Sequence, residues 1–415
     1  MTTDSAAFRE LPVIALLSAL TWALGTNLLA EWYYPLRGIG WGDLLFSGWF
    51  VFALLNPERR QALALALWQA RKYILLMLAF MTWLLLSATV NCYWFGAGPT
   101  DVLAIVRMLY YCAILLTAYL VVVQYDYTRL VWGFIAGVLI LTLDRLVDAG
   151  ISGPSSIIIN SMIVIKDPNV VGNMMGMGVL FCTFAMLKGY VKSSLATALW
   201  LAIASLTTFS KGTWLMVLAG LLAGGIAWLI WLRKSGQSFV RYWPAVAVLV
   251  AALGWLIVAN AELLIDLINF KLDTTVQAET AAYRFQFALA ALYTMADHPL
   301  FGLGFRNYAQ VERLYPDVVP EPTENAHNAF LHFGAVGGLP ALALLLLLFA
   351  YPFMPLWRAL RAETSWPLAA GYISLVFMIM ALSGSVQLQL VAQPFFWLFT
   401  GIVLGWYARV LKRPL

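Results

Sequence analysis

The sequence predicts an all-α polytopic membrane protein with about 12 transmembrane helices and both termini on the cytoplasmic side. Three observations carry this expectation. Of 415 residues, 62% are hydrophobic and only 11% charged, against about 25% charged in soluble domains. The apolar residues gather into runs near the roughly 20 residues that cross a bilayer. Lys and Arg fall unevenly on alternate connections, as they do when a chain is threaded with its positive loops inside.

Along the chain the spans are expected near 11–30, 38–55, 73–90, 102–124, 128–147, 169–187, 194–209, 212–232, 242–260, 327–351, 366–383 and 391–410. The start, MTTDSAAFRE, lacks the basic leader and clear cleavage site of a signal peptide, so the first run is expected to be kept as a span. An even number of spans puts both termini on one side. With that side inside, sixteen basic residues, among them Arg59, Arg60, Arg71, Lys72, Arg129 and Arg409, fall on inner segments and seven on outer ones; Arg107 and Arg145 lie within spans. The net charge of +5 is thus distributed by side, and nucleic acid is not an expected partner; membrane lipids are. Cys92, Cys112 and Cys182 sit in or beside apolar runs with no CxxC or Cys/His spacing, and read as core- or lipid-facing thiols. The GxxxG pairs Gly133/Gly137, Gly172/Gly176 and Gly220/Gly224 read as helix-packing sites. With no repeat or low-complexity segment, 1–415 is expected to be one domain.

One connection stands apart. Residues 260–326 form a long outward-facing loop, rich in aromatic residues, and loops of that length are functional or disordered. Within it TAAYRFQFALAALYTMADHP reads as a helix over 280–297, capped by Thr280 and stopped before Pro299, lying along the membrane surface. The loop leads into PTENAHNAFLHFGAVGGLPALALLLLL (322–348), where polar residues open a long leucine-rich run. Thr323 can cap that helix, which would place His327 in its second turn. The positive helix end would keep the imidazole neutral, as a general base requires. Glu324, three residues earlier on the same face, can accept a hydrogen bond from one ring nitrogen; Asn325 is a possible neighbour to substrate. The competing reading is an interfacial histidine bound only to structure. His298 and His332 are assigned no chemistry.

Other charges face the same side. Arg284 falls in the first turns of the expected loop helix, where a cation opposes the helix dipole. A helix N-terminus joined to a guanidinium suits a diphosphate, and the alternative is an arginine snorkelling to lipid phosphate. Lys211, in TTFSKGTWLM, interrupts two apolar runs and would meet water, headgroup or a bound anion. Arg107 and Asp144 can pair between adjacent spans, which leaves Arg145 to face the outer cavity. No P-loop, HExxH, GxSxG or dinucleotide glycine pattern is present, so no cofactor or metal is expected and the energy must arrive with the substrate.

Three stretches in order, SKGTWL at 210–215, YRFQFALAAL…DHPLFGLGFRNY at 283–308 and AHNAFLHFGAVGGLPALALLLLL at 326–348, together with DPN at 167–169, resemble the O-antigen ligase and O-antigen polymerase superfamily. The resemblance covers about residues 160–350. It implies a metal-independent glycosyltransferase of the GT-C type at the periplasmic face of a bacterial inner membrane. Its donor would be a glycan on undecaprenyl diphosphate, and its acceptor a lipid A-core sugar (ligase) or another lipid-linked glycan (polymerase). By position, His327 matches the family's essential histidine and Arg284 its loop arginine. Lys211 stands where the family has arginine in an S-R-G pattern, which keeps the charge and loses the bidentate fork. Glu324, Asn325, Arg107 and Arg145 would touch the substrate or the side chains that hold it. Two other classes compete: a transporter of lipid-linked sugar, which would show paired repeats and midplane polar groups, and a non-catalytic envelope scaffold, which would not need His327.

Overall fold

The computed structural model describes residues 13–14, 16–17, 41–95, 99–125, 128–152, 175–179, 181–182, 191–206, 217, 274–305, 307–319, 323, 326–352 and 393–411. Among the described residues every regular element is helical: α1 (Trp41–Leu55), α2 (Pro57–Gln69), α3 (Arg71–Phe95), α4 (Pro99–Gln124), α5 (Thr128–Ser152), α6 (Val191–Leu206), α7 (Thr274–Asp297), a 3-10 turn (Asn307–Gln310), α8 (Val311–Leu314), α9 (Ala329–Ala350) and α10 (Gln393–Leu411).

Among the described residues two stretches are long and apolar enough to cross a membrane, Arg71–Cys92 in α3 and Ala329–Ala350 in α9; Leu44–Leu55, Tyr110–Gln124 and Arg129–Ile140 are shorter apolar segments. These five correspond to expected spans at 73–90, 327–351, 38–55, 102–124 and 128–147. The expected spans at 212–232, 242–260 and 366–383 lie outside the described residues, apart from Val217. Helix α2 is an element that the span pattern missed, because it reads as a connection by hydropathy. Its cause is local: the Asn56 side chain accepts from the amides of Glu58 and Arg59 at 3.0 and 3.2 Å, and Pro57 opens the helix at the position where a missing N–H costs nothing. It buries Ala62, Leu63 and Ala66, and exposes Leu67 and Trp68.

Close helix packing is visible where α10 meets α4. A side chain at Gly401 would run into the Leu115 carbonyl, and one at Gly405 would lie 2.7 Å from the Tyr119 oxygen, so this GxxxG pair lets two backbones touch. Tyr111 and Trp397 stack across the same seam at 6.2 Å and 13°. Gly133 behaves likewise, its face closed by the backbone of Leu16.

The feature that positions the site is a break inside α9. Gly338 has φ 74° and ψ −178°, and Pro340 follows, so the helical ladder is interrupted. In a membrane each freed backbone group needs a partner from elsewhere in the protein. The carbonyls of Ala335 and Val336 accept from the amides of Leu303 and Gly304, both at 2.9 Å, and the Leu339 amide donates to the Pro299 carbonyl at 2.7 Å. Helix α3 supplies the rest: Trp83 Nε1 donates to the Gly337 carbonyl at 2.8 Å, and Ser87 Oγ lies 2.8 Å from the Val336 carbonyl and 2.6 Å from that of Phe301. Trp83 also stacks on Phe301 at 5.3 Å and 9°. The segment HPLFGLGF thus docks into the broken helix as a third partner between α3 and α9, and its glycines let it in: a side chain at Gly302 (φ 57°) would strike the Ala335 carbonyl.

Candidate functional site

The chain between the docked segment and α9 ends at His327, and its local structure differs from the expected one. Thr323 does not cap α9. Asn328 does, with extended backbone (φ −150°, ψ 126°), its side chain accepting from Phe330 N at 2.9 Å and Leu331 N at 3.2 Å. Asn is among the strongest N-cap residues and stands nearer the apolar run, so the helix starts later. His327 therefore precedes the helix rather than sitting in its second turn. It is the one non-glycine residue with positive φ among the described residues, at 52°. Such a conformation costs of order 1–3 kcal/mol and must be held by its surroundings.

What holds it is visible. The imidazole stacks on the Phe287 ring at 5.6 Å and 18°, and Tyr283 continues the column below Phe287 at 6.3 Å and 19°. Both aromatic residues belong to α7, which packs against α9. Arg284, three residues before Phe287, rides on the neighbouring face of α7 and is exposed. Burial holds the pKa of His327 below the ordinary value of 6.5, and the nearby Arg284 guanidinium lowers it further. The sequence reading put the cause of a neutral imidazole in the helix end; in the structure the causes that lower the pKa are desolvation and a neighbouring cation.

Arg284 also needs a correction. Helix α7 begins at Thr274, not at 280, which places Arg284 in the third turn, about 15 Å along the axis from the first residue. The helix N-terminus and the guanidinium are therefore not one receptor, and only the guanidinium remains beside His327. The end of α7 agrees with expectation: it stops at Asp297, the His298 amide returns to the Thr294 carbonyl at 2.8 Å, and Pro299 follows. His332 lies within α9, 2% exposed, with the Tyr308 ring at 5.2 Å; neither of its ring nitrogens has a hydrogen-bond partner among the described residues.

The structure thus brings together His327 and Arg284 of the expected set. Lys211, Glu324 and Asn325 lie outside the described residues, as does the DPN stretch at 167–169. Arg107 falls on α4 and Asp144 and Arg145 on α5, while their side chains lie outside the described residues. Sequence reasoning missed Phe287 as the support of the imidazole and Asn328 as the residue that sets the helix start. The signal for Asn328 was present in HNAF, an N-cap residue immediately before an apolar run; for Phe287 there was none, because a ring contact across 40 residues leaves no local pattern.

With this geometry in place, comparison with known families is informative. Residues 196–346 match the model of a family described as O-Antigen ligase. That stretch runs from α6 through α7 and most of α9, so it contains His327, Arg284 and the docked segment. No curated protein matches the chain.

Proposed function

We propose that the chain is a ligase of the O-antigen ligase and polymerase superfamily, a reading supported by the match of residues 196–346 to a family described as O-Antigen ligase. It would transfer a glycan from undecaprenyl diphosphate to a lipid A-core sugar at the periplasmic face of the bacterial inner membrane. The observation that carries the proposal is the pairing of a half-buried His327, its pKa held below the ordinary value, with Arg284 beside the start of α9. In this reading His327 takes the proton of the acceptor hydroxyl as its oxygen bonds to the anomeric carbon. The bond from that carbon to the diphosphate oxygen breaks on the opposite face, inverting the configuration, and the diphosphate leaves with the bonding pair. Arg284, joined by Lys211, neutralises the charge that builds on it, the role a metal ion fills in other transferases. Glu324 and Asn325 before the histidine, with Arg107 and Arg145, would touch the substrate or the side chains that hold it. The architecture proposed around this site has about 12 spans of GT-C type, N-in and C-in, with 260–326 as the periplasmic loop. A polymerase joining lipid-linked glycans uses the same chemistry on a different acceptor, and a deletion strain separates the two: a lipopolysaccharide core with no glycan means ligase, one repeat on the core means polymerase.

The test of the chemistry is a panel of variants in nanodiscs, with transfer rate and donor affinity measured together. Loss of a general base costs about 10²–10⁴-fold in rate, so His327→Ala should bind lipid-linked donor and transfer almost nothing. Arg284→Ala and Lys211→Ala should bind donor weakly, and Lys211→Arg should stay active. His298→Ala should behave as the parent, and the parent should keep its rate in EDTA. A His327→Ala enzyme with near-parental rate would end the mechanism.

A further inference from the structure

We propose that Tyr308 is a positioning residue for the reaction, a brace that fixes the helix carrying Arg284 against the helix entered by His327. The inference rests on the reading of His327 as the base. Tyr308 belongs to the 3-10 turn Asn307–Gln310 and is 0% exposed. Its phenol donates to the Phe287 carbonyl on α7 at 2.6 Å. Phe287 is the residue whose ring supports the imidazole, and it lies one helical turn from Arg284. The other face of the contact is α9: the Tyr308 ring lies 5.2 Å from that of His332, five residues beyond His327. One side chain therefore touches both elements that compose the site.

The turn on which Tyr308 is mounted is itself fixed to α9. Asn307 N donates to the Gly304 carbonyl at 3.1 Å, Asn307 Nδ2 to the Leu303 carbonyl at 3.1 Å, and Gly304 N to the Val336 carbonyl at 2.9 Å. Chain connectivity thus runs from the break in α9, through the docked segment, to the phenol, and from the phenol to the backbone beneath the imidazole. Burial pushes the Tyr308 hydroxyl well above the ordinary value for a phenol, so it stays protonated and remains a donor throughout the working range. A helical carbonyl has two lone pairs and can hold this bond beside its own ladder bond. Losing the hydroxyl therefore frees the register of α7 without orphaning a buried acceptor.

Tyr308→Phe removes the hydroxyl and keeps the ring. In the full chain in nanodiscs, with lipid-linked glycan as donor and rates normalised to monodisperse protein, kcat should fall about 10-fold. That lies short of the ~10²-fold that a 1 Å misplacement can cost. The KM for donor should stay within about two-fold. Phe287→Leu, which removes the supporting ring, should show the same split. In a His327→Ala background Tyr308→Phe should cost nothing more, since a residue acting through His327 has nothing left to align. Tyr315→Phe, which removes a 2.7 Å bond from its phenol to Asp297 in the same loop, should leave kcat unchanged. The brace is overturned by parental kcat in Tyr308→Phe, by a rise in KM alone, or by an equal loss in both backgrounds. A His327→Ala enzyme that remains active would instead overturn the base, a separate outcome.

Discussion

His327 occupies a backbone conformation that a histidine adopts at a cost, and it does so beside a cation and a buried ring. The electrostatic consequence has a definite sign. Burial and Arg284 both disfavour the imidazolium, so the folded-state pKa lies below the ordinary 6.5 and the base stays neutral to lower pH. The acid limb of kcat/KM against pH should therefore fall below the usual histidine range. Arg284→Gln removes the second cause and leaves the first, so its limb should move up without reaching the ordinary value. A limb that stays put would mean that Arg284 is too well solvated to act on the ring. At this scale the sequence was informative about identity and poor about setting. HN before an apolar run marks a helix start and a titratable group, whereas the stack on Phe287 depends on how α7 lies against α9. Two expectations failed for one reason: helix starts were assigned to Thr323 and Thr280, when Asn328 is the better cap and the helix with Thr280 already began at Thr274.

Helix α9 is legible as a span because its leucines are continuous, and its interruption is also written in the sequence as GGLP. What could not be read is the partner. GLGF and the α3 residues Trp83 and Ser87 are far from Gly338 along the chain, and only the fold shows that they share one set of hydrogen bonds. This explains much of the DHPLFGLGF and AVGG stretches as architecture: they build the joint that holds α7, the docked segment and α9 together. Gly338→Ala should test it. The added carbon would meet the Leu300 and Pro299 carbonyls at a residue with φ 74°. Strain of about 1–3 kcal/mol is expected from the backbone conformation alone, and the clash adds to it. Thermal unfolding in detergent should show a clear loss of stability. Gly48→Ala is the contrast, since a carbon there meets nothing within 4 Å and an alanine favours the helix. Ser87→Ala should fall between the two, by stripping a donor from the Val336 and Phe301 carbonyls. Equal behaviour of Gly338→Ala and Gly48→Ala would show that the break is not held.

For the whole molecule the open quantity is orientation, and the described residues supply usable reporters on both expected faces. From charge asymmetry the α1–α2–α3 connections are expected inside; there Arg59 lies over Phe52 at 4.7 Å and Arg71 over Trp68 at 4.1 Å, an arrangement that suits long cations anchored at a membrane interface. The same expectation puts α7, α8 and the entry to α9 outside. If α3 and α9 both cross the bilayer, the joint at Gly338 ties them near their outer halves, because Trp83 and Ser87 lie in the second half of α3, past the turn that starts at Arg71. The same reasoning puts Arg60 and Arg313 on opposite sides. A single cysteine at Arg60, which is exposed on α2, should be protected from a membrane-impermeant thiol reagent in intact spheroplasts and should react after lysis. A single cysteine at Arg313, exposed on α8, should react in intact spheroplasts. Cys92 is exposed and must be replaced first, whereas Cys112 and Cys182 are buried and make a low background. Reversed labelling would invert the molecule and put His327 and Arg284 in the cytoplasm, away from a periplasmic acceptor. Labelling of both positions before lysis would break the threading on which the two-sided charge distribution rests.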